Sequence, residues 1–488
     1  MIVALIFLSS GLFFGWSLGA NDASHIWGTA VATKMVRFKI AALLASVFII
    51  LGAVISGSGA THTLTQLGSI NQIAGAFTVA LSAGFSVFWM TRLKLPVSTS
   101  QAIVGSIVGW NIFAGMLTDY GALTQIISSW MSSLFLSGLF SFIIYKIVKS
   151  VVPVIRISIF RLDMYTRIGL IVIGSFGSYA LGANNIANVM GIFIPISPFK
   201  SFNLGFIHIS GIEQLFLLGG LAIAVGVYTY SHRVMVTVGK NVIKMSAQAA
   251  LVVILAESLV LFLFSSSSLH NWLVGHGLPA IPLVPVSSSQ LVIGAVVGIG
   301  IANRDRNIKL KVLGKIVMGW VTTPVMAAVI TYILLFFIQN VFDKPVYVKV
   351  GYEITPAVVD RLKESGVKIQ REDFEVFYPN ARTFDRALKT ANIPSIDFAK
   401  IFQIAEVNVI TIQNVPRFAK RVGAWFTSRE LQSIQRIEGQ TFRHKWELSD
   451  ALERQSTSWK IYRGLSADCQ TRIAEKIEYL ATQFRVNY

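Results

Sequence analysis

Two short polar motifs lie inside apolar stretches of the chain, and each of them occurs twice. Leu-Gly-Ala-Asn-Asp at residues 18–22 recurs as Leu-Gly-Ala-Asn-Asn at 181–185, and Pro-Val-Ser-Thr-Ser-Gln at 96–101 recurs as Pro-Val-Ser-Ser-Ser-Gln at 285–290. A carboxylate such as that of Asp22 is unfavourable inside a membrane and therefore indicates a functional site. The amide and carboxylate oxygens of the first motif are the ligand type that hard cations prefer.

The second motif has the chemistry of an anion site. Proline is favoured in the first turn of a helix, and the hydroxyl groups that follow it would lie among the unpaired N–H groups of that turn. Such a helix start has a partial positive charge and binds anions readily. Two of these starts, one from each copy of the motif, would surround a tetrahedral oxyanion with N–H and O–H donors without any arginine or lysine.

Each of these features also has an ordinary structural interpretation. Asn21 and Asn184 could join helices by hydrogen bonds, and the two Pro-Val-Ser motifs could be simple helix N-caps. Glu257, the only other acid well inside an apolar stretch, is either a site residue or a buried partner of a polar neighbour. A third pair of similar segments, Trp-Met-Ser-Ser at 130–133 and Trp-Val-Thr-Thr at 320–323, favours function, because three motifs rarely recur in order by chance.

The elements that carry these motifs are predicted to be membrane helices. Hydrophobic residues make up 53% of the 488 residues and charged residues only 14%, whereas a soluble protein has about 25% charged residues. Residues 1–340 contain 19 Lys and Arg but only 6 Asp and Glu, against 23 and 18 in residues 341–488. We therefore predict an all-α polytopic membrane protein with a soluble, mostly α-helical C-terminal domain. Apolar stretches of about 20 residues, long enough to span a bilayer, lie at 1–18, 40–57, 71–91, 122–145, 168–191, 213–231, 246–266 and 316–338, with shorter candidates for half-helices at 97–117 and 286–303.

Basic residues orient these helices, since cytoplasmic connections are enriched in lysine and arginine. They cluster at 34–39, 146–167, 232–244 and 304–311, whereas the connection at 266–284 contains none. The first half of the membrane region therefore starts outside and the second starts inside, so the halves are inverted-topology repeats, an architecture typical of secondary transporters. The predicted domains are transmembrane repeat 1 at 1–146, a basic cytoplasmic linker at 147–166, transmembrane repeat 2 at 167–340 and the soluble domain at 341–488.

These motifs, in this order, resemble the inorganic phosphate transporter (PiT) family of cation-coupled symporters over roughly residues 10–340. The resemblance implies two re-entrant helical hairpins whose tips meet near the bilayer midplane and hold the anion, with the asparagine-aspartate motifs shaping the neighbouring sites. The candidate anion-binding residues are Ser98, Thr99, Ser100, Gln101, Ser287, Ser288, Ser289, Gln290, Asn21 and Asn184. The candidate cation and coupling residues are Asp22, Asn21, Asn184, Asn185, His25 and Glu257, with a Na⁺ ion at Asn21, Asp22 and Asn184.

The chain departs from the family pattern at three places. Asn185 stands where the family has aspartate, His25 stands where it has asparagine, and the motifs at 96–101 and 285–290 end in Ser-Gln instead of Thr-His. The loss of one carboxylate removes a hard ligand for Na⁺, while His25 adds a group that titrates near neutral pH. The expected coupling ion is therefore Na⁺ or H⁺, and no other cofactor is expected.

Phosphate is the expected substrate, and sulfate or another tetrahedral oxyanion is the alternative. Hydrogen phosphate carries a proton at neutral pH, so a selective site gains from an acceptor such as Asp22, which would only repel sulfate. The missing second carboxylate weakens this preference. We predict a secondary active transporter that imports phosphate by symport with Na⁺ or H⁺, in a bacterial inner membrane. The expected partners are the anion, the lipid bilayer and a second copy of the chain in a homodimer, but not nucleic acid.

An enzyme is a different class that the intramembrane acid also allows, for instance a phosphatase with Asp22 as the nucleophile. No second acid or histidine cluster is spaced for metal binding or general-base chemistry. We therefore expect a transporter that is not an enzyme.

The predicted C-terminal domain gives no functional motif. Its pattern predicts a short β-strand at 346–350 and helices at 356–365, 428–438 and 467–484. The single cysteine, Cys469, excludes an intrachain disulfide framework. With no nucleotide loop, metal spacing or catalytic group, the role of this domain is left open.

Overall fold

In a computed structural model, the chain forms two compact units, Met1–Tyr347 and Val348–Tyr488. This division falls slightly after the predicted boundary at residue 340. Pro96 and parts of the predicted basic connections, at 238–245 and 305–309, lie outside the described residues. The structure describes residues 2–68, 70–93, 97–155, 158–199, 202–203, 208–237, 246–304, 310–367, 369–422, 425–460 and 467–486.

The first unit is built almost entirely of helices. One short antiparallel pair, β1 (Phe202–Asn203) with β2 (His208–Ile209), and a 3₁₀ helix at Gly191–Ile196 complete it. The helices are α1 (Ile2–Ala32), α2 (Phe38–Ser56), α3 (Thr61–Leu67), α4 (Ile73–Arg92), α5 (Thr99–Ala114), α6 (Tyr120–Val154), α7 (Ile159–Met190), α8 (Gly211–Thr229), α9 (Ser231–Thr237), α10 (Ala247–Ser265), α11 (Ser267–Gly275), α12 (Ser288–Ala302) and α13 (Leu310–Asn340).

Seven helices among the described residues are long and apolar enough to cross a membrane, namely α2, α4, α6, α7, α8, α10 and α13. Large apolar side chains stay exposed on them, for example Leu139 and Ile143 on α6 and Val325 and Val329 on α13. Water would disfavour such surfaces, whereas lipid covers them in a bilayer. The predicted all-α polytopic membrane fold is confirmed.

Helix α1 differs from its predicted form. The apolar stretch at 1–18 predicts a helix that breaks at the asparagine motif, because glycine, asparagine and aspartate weaken helices. In the structure, α1 continues unbroken through residues 19–22 and α7 continues through 182–185. The prediction of a helix break was wrong, since tertiary packing of these buried segments outweighs a weak intrinsic preference. The backbone carbonyls therefore stay within the helices, and only the side chains serve as candidate ligands.

Helices α1 and α7, which begin the two repeats, run antiparallel. Trp27, near the end of α1, donates from its indole nitrogen to Ser178 Oγ at 2.8 Å. Gly15, earlier in α1, lies against Val189 near the end of α7. The repeats are therefore inverted relative to each other, as the basic connections predict.

The first repeat contains a helical hairpin formed by α4 and α5. Helix α4 runs parallel to α1, since the rings of Phe7 and Phe77 are 5.7 Å apart near the helix starts and Thr91 approaches Asn21 further along. The chain then turns within a few residues into α5. The hairpin thus enters from the side on which α1 begins.

The second repeat contains the corresponding hairpin, formed by α10 and α12. Helix α10 runs parallel to α7, because Leu251 lies beside Gly169 and Ser258 lies beside Gly177. Since α7 is antiparallel to α1, this hairpin enters from the opposite side of the membrane region. Helix α11 and residues 276–287 separate its two arms, an insertion that the first hairpin lacks.

The first two helices of each repeat pack against those of the other repeat. A β-carbon at Gly19 on α1 would collide with the backbone of Ile223 on α8. One at Gly182 on α7 would collide with the backbone of Ile49 on α2. Small residues permit such close helix contacts in membranes, so the glycine of each motif fixes an interface between the repeats.

The second arm of each hairpin also packs against a helix of the other repeat. Gly105 on α5 contacts the backbone of Pro324 on α13, and Gly294 on α12 contacts the backbone of Leu134 on α6. Ser137 on α6 also donates to the carbonyl oxygen of Leu291 on α12 at 2.7 Å. The packing of the two repeats is therefore reciprocal.

The second unit mixes short strands with helices. The predicted strand at 346–350 was placed too early, since the strand is Gly351–Glu353. Val346 packs in the first unit, where its carbonyl oxygen accepts a hydrogen bond from the Trp110 indole nitrogen at 3.1 Å. The strands are β3 (Gly351–Glu353), β4 (Phe377–Tyr378), β5 (Glu406–Val407), β6 (Ile410–Thr411) and β7 (Thr441–Phe442), paired antiparallel in the orders β4-β3-β5 and β6-β7. The helices are α14 (Pro356–Glu364), α15 (Ala381–Thr390), α16 (Phe398–Ala405), α17 (Val415–Val422), α18 (Ser428–Arg436), α19 (Lys445–Gln455) and α20 (Ala467–Gln483).

A buried ion pair joins two helices of the second unit. Lys476 on α20 donates to both carboxylate oxygens of Glu430 on α18 at 2.7 Å, and the two side chains are only 11% and 7% exposed. Glu430 also accepts from the Thr427 N–H at 2.7 Å in a capping box. This carboxylate therefore couples the start of α18 to α20.

The close contact at Gly182 gives a test of the packing between repeats. We expect Gly182→Ala to destabilise the membrane unit by about 1–3 kcal/mol, because the added methyl group meets backbone that has little room to shift. Gly314→Ala on α13 is the control, since its β-carbon would point into open space. Thermal unfolding of the purified chain in detergent measures both variants. Equal transition temperatures would contradict the assigned interface.

The buried ion pair gives a test in the second unit. We expect Glu430→Gln to destabilise this unit by about 3–5 kcal/mol, because it leaves the Lys476 ammonium buried without a counter-charge. The control is Glu478→Gln, whose partner Lys445 forms an exposed pair expected to contribute about 0–1 kcal/mol. Amide hydrogen exchange in α18 and α20 reports the difference. Similar exchange in the two variants would show that the buried pair is not required.

Candidate functional site

Asp22 lies where α1 meets the first hairpin. Its side chain is 2% exposed, and both carboxylate oxygens accept hydrogen bonds, Oδ1 from Asn21 Nδ2 at 2.7 Å and Oδ2 from Thr99 Oγ1 at 2.8 Å. Because Thr99 begins α5, the second bond fastens the first tip (residues 97–101) to α1. Thr91, at the end of α4, lies with its Oγ1 3.5 Å from Asn21 Oδ1. The result is a buried group of oxygen atoms around one carboxylate.

The first tip contacts the second tip (residues 284–290) directly. Ser100 Oγ donates to the carbonyl oxygen of Val286 at 3.0 Å. Asn188 on α7 donates through Nδ2 to the same Ser100 Oγ at 2.9 Å and to Asn185 Oδ1 at 3.0 Å. The structure thus brings together the two motifs that the sequence separates by almost two hundred residues.

Asn184 holds the second tip against α7. Its Nδ2 donates to the carbonyl oxygen of Val284 at 3.3 Å, and its Oδ1 accepts from the Val286 N–H at 3.1 Å. Trp130 on α6 adds a bond from its indole nitrogen to the carbonyl oxygen of Pro285 at 3.1 Å. Asn184 thus positions the second tip, and because an amide has two N–H donors and two acceptor lone pairs, its predicted roles in binding the anion and Na⁺ stay predictions.

Both tips contain a serine N-cap. Ser98 Oγ accepts from the Gln101 N–H at 3.3 Å, and Ser287 Oγ accepts from the Gln290 N–H at 3.4 Å. The N-cap interpretation and the anion-site interpretation are compatible, because a hydroxyl that accepts one hydrogen bond still has a hydrogen to donate. In the second tip, Ser287 Oγ and Ser289 Oγ also share a hydrogen bond of 3.0 Å.

Several buried polar atoms of the tips and of α7 have no hydrogen-bond partner in the part of the chain that the structure describes. Buried polar groups are normally paired. The unpaired donors and acceptors at the tips therefore make this region the candidate site for a polar ligand. These atoms are Ser288 Oγ, Asn185 Nδ2, Asn188 Oδ1, Gln101 Oε1 and Gln290 Oε1.

His25 and Glu257 are not joined to the tips by hydrogen bonds. Neither ring nitrogen of His25 and neither carboxylate oxygen of Glu257 has a partner among the described residues, and Glu257 is 0% exposed. Glu257 precedes Ser258, which lies beside Gly177, so it stands about two helical turns from the level of the asparagine motif of α7.

Two residues of the site were missing from the sequence-based candidates. Asn188 follows Asn184 by four positions and so projects from the same face of α7, a signal that could have identified it. Thr91 belongs to no motif, and only the parallel packing of α4 along α1 brings it to Asn21. Sequence alone offers no sign of that contact.

The arrangement provides two kinds of ion-binding groups. The oxygens around Asp22 are the ligand type that hard cations prefer, and the hydroxyl, amide and helix N-terminal groups of the tips suit an oxyanion. Within the described ranges, no group of three or more His, Cys, Asp or Glu side chains is arranged to hold a metal ion.

Curated relatives of the chain are known from several prokaryotes. A protein of Pyrococcus abyssi named "Putative phosphate permease" is 24% identical over 406 residues, covering 68% of this chain and 96% of that protein. A protein of Haemophilus influenzae with the same name is 23% identical over 421 residues, covering 68% and 96%. A solved structure named "The sodium-dependent phosphate transporter" has a TM-score of 0.54 and 22% identity, and the match covers 69% of this chain and all of that one. This last likeness shows that the fold is shared.

The family comparison covers most of the chain. The sequence profile described as "Phosphate transporter family" matches residues 18–165, 158–331 and 278–413. These ranges include both hairpin tips and both asparagine motifs, and the first two correspond to the two repeats. The resemblance that the motifs indicate is confirmed: the chain is a multi-pass membrane protein that belongs to the phosphate transporter family.

Proposed function

We propose that this protein imports inorganic phosphate by symport with Na⁺ across a bacterial inner membrane. The observation that carries the proposal is the contact of two buried hairpin tips, through Ser100 and Val286, beside a single buried carboxylate, Asp22. An anion at the tips and a cation at the carboxylate would each reduce the unfavourable burial of the other's charge. Family membership supports phosphate, and the shared fold with a solved transporter named as sodium-dependent supports Na⁺.

Unpaired acceptors at the tips favour phosphate over sulfate. Hydrogen phosphate has a P–OH group to donate, and sulfate has none. Gln101 Oε1, Gln290 Oε1 and Asn188 Oδ1 are buried without partners among the described residues. An acceptor that stays unpaired in the complex costs about 1–3 kcal/mol, so a ligand that carries a proton binds better. Sulfate is the alternative substrate.

Na⁺ is the proposed coupling ion because the group around Asp22 consists of oxygen ligands. Thr99 Oγ1 lies beside the carboxylate, and Asn21 Oδ1 lies beside Thr91 Oγ1. Side-chain oxygens together with one negative charge suit a hard cation. H⁺ is the alternative, with Asp22 itself or His25 as the proton acceptor. Glu257 is the third ionisable group of the proposed coupling pathway, since it is buried and its carboxyl oxygens have no hydrogen-bond partner among the described residues.

Competition between oxyanions for uptake tests which anion is the substrate. We expect phosphate and arsenate, which both carry a proton at neutral pH, to inhibit uptake of labelled phosphate into proteoliposomes at similar concentrations. Sulfate should be weaker by at least about tenfold, since it leaves at least one buried acceptor unpaired. The assay is run at fixed pH and Na⁺ concentration, with chloride as the control anion. Stronger inhibition by sulfate than by phosphate would identify the protein as a sulfate permease.

Imposed gradients test the coupling. We expect an inward Na⁺ gradient at constant pH to drive accumulation of phosphate, and Asp22→Asn to abolish that accumulation because it removes the negative charge of the cation site. Asp163→Asn is the control, since Asp163 is half exposed and pairs with Arg167. A pH gradient in Na⁺-free buffer that drives uptake would select H⁺. Uptake that ignores both gradients would refute symport.

A further inference from the structure

The two repeats place different chemistry at equivalent positions of the site. By the alignment of their motifs, Asp22 corresponds to Asn185 and Thr99 corresponds to Ser288. In the first repeat the pair is joined by a hydrogen bond of 2.8 Å. In the second repeat Asn185 and Ser288 are 0% and 3% exposed, yet neither Asn185 Nδ2 nor Ser288 Oγ has a partner among the described residues.

The orientation of the Asn185 amide follows from its neighbours. The Val286 carbonyl oxygen can only accept, so Ser100 donates to it and must accept the bond from Asn188. The nitrogen of Asn188 therefore faces Ser100, and the same nitrogen donates to Asn185 Oδ1. The free end of Asn185 is thus its Nδ2, a hydrogen-bond donor.

The tips also differ in the donors that they leave available. In the first tip, Thr99 gives its hydroxyl hydrogen to Asp22, and Ser100 gives its hydrogen to the second tip. In the second tip, the Ser288 hydroxyl is unpaired among the described residues, and the other two serines share a single bond between them. More unused donors therefore belong to the second tip than to the first.

We infer that the two repeats divide the work of ion binding, with the cation held by the first repeat and the anion at the tips bound mainly by hydrogen-bond donors of the second. Asn21, Asp22 and Thr99 form the cation side, because a carboxylate attracts a cation and repels an anion at short range. Asn185 and Ser288 form the anion side, because they are neutral donors that have no acceptor among the described residues. The inference deepens the proposed function and rests on it.

The asparagine at 185 has a specific role under this division. An aspartate there would have no donor hydrogen at neutral pH and would repel the anion, whereas the amide supplies a donor at the same place. Glu257 does not make the surroundings of Asn185 repel an anion, since it stands about two helical turns away from Asn185 along α7. Compared with Asp22 at the equivalent position of the first repeat, Asn185 therefore lacks a cation ligand and supplies an anion ligand.

Matched hydroxyl deletions in the two tips test the division. Equilibrium binding of labelled phosphate to the purified full-length protein is measured as a function of Na⁺ concentration at fixed pH. We expect Ser288→Ala to weaken phosphate binding at saturating Na⁺ by roughly 10- to 100-fold, as for the loss of a hydrogen bond to a charged group. The Na⁺ concentration for half-maximal binding should change by less than about twofold relative to the unmutated protein, which corresponds to a free-energy change smaller than RT ln 2. The conservative variant Ser288→Thr, which keeps the hydroxyl, should restore binding.

The deletion in the first tip should give the opposite result. Thr99→Ala should raise the Na⁺ concentration for half-maximal binding several-fold and leave the affinity for phosphate at saturating Na⁺ nearly unchanged, with Thr99→Ser restoring Na⁺ dependence. If both alanine variants weaken phosphate binding equally at saturating Na⁺, the division of labour is wrong while symport stands. If the unmutated protein shows no Na⁺-dependent phosphate binding, the proposed function itself fails. Thermal unfolding of each variant verifies that it is folded before binding is compared.

Discussion

A buried carboxylate needs a hydrogen-bond donor or a cation, and the site is organised around that need at Asp22. Thr99 supplies the donor, and in doing so it ties the first hairpin to α1. A cation held by the carboxylate and the Thr99 oxygen would lie at this same junction, so occupancy of the cation site and the conformation of the first tip are linked. The second tip has no such dependence, because Asn184 holds it through two bonds to backbone groups that carry no charge.

Much of the membrane unit could be predicted because the sequence features that specify it are local and occur twice in the chain. Seven apolar stretches became helices, and the serine motifs became the starts of α5 and α12. Helix α6 ends nine residues later than predicted and α7 begins nine residues earlier, so the predicted linker at 147–166 is largely helical. The inverted relation of the repeats followed from the basic connections and agrees with the antiparallel packing of α1 and α7. Composition, periodicity and repetition were sufficient for these features, since each depends on neighbouring residues or on the contrast between lipid and water.

The remaining features depend on contacts between distant segments. The continuity of α1 through residues 19–22 contradicts local propensity and arises from burial against other helices. The contribution of Asn184 to positioning the second tip could not be predicted, because its partners are backbone groups about a hundred positions away. A sequence shows that an amide is present, but not which end of it is already occupied. For the same reason the unequal use of Thr99 and Ser288 is invisible until the tips are placed together.

The exchange of partners between the repeats has a consequence for biosynthesis. Helices α1 and α2 each have a closely packed neighbour in the second repeat, α8 and α7, where Gly19 meets Ile223 and Gly182 meets Ile49. A ribosome makes the first repeat well before those neighbours exist, so the faces of α1 and α2 that contact α8 and α7 are uncovered when these helices enter the lipid. Assembly of the native helix pairs must therefore follow insertion of the second repeat, and a nascent chain arrested in the basic linker would contain inserted helices but no completed ion site.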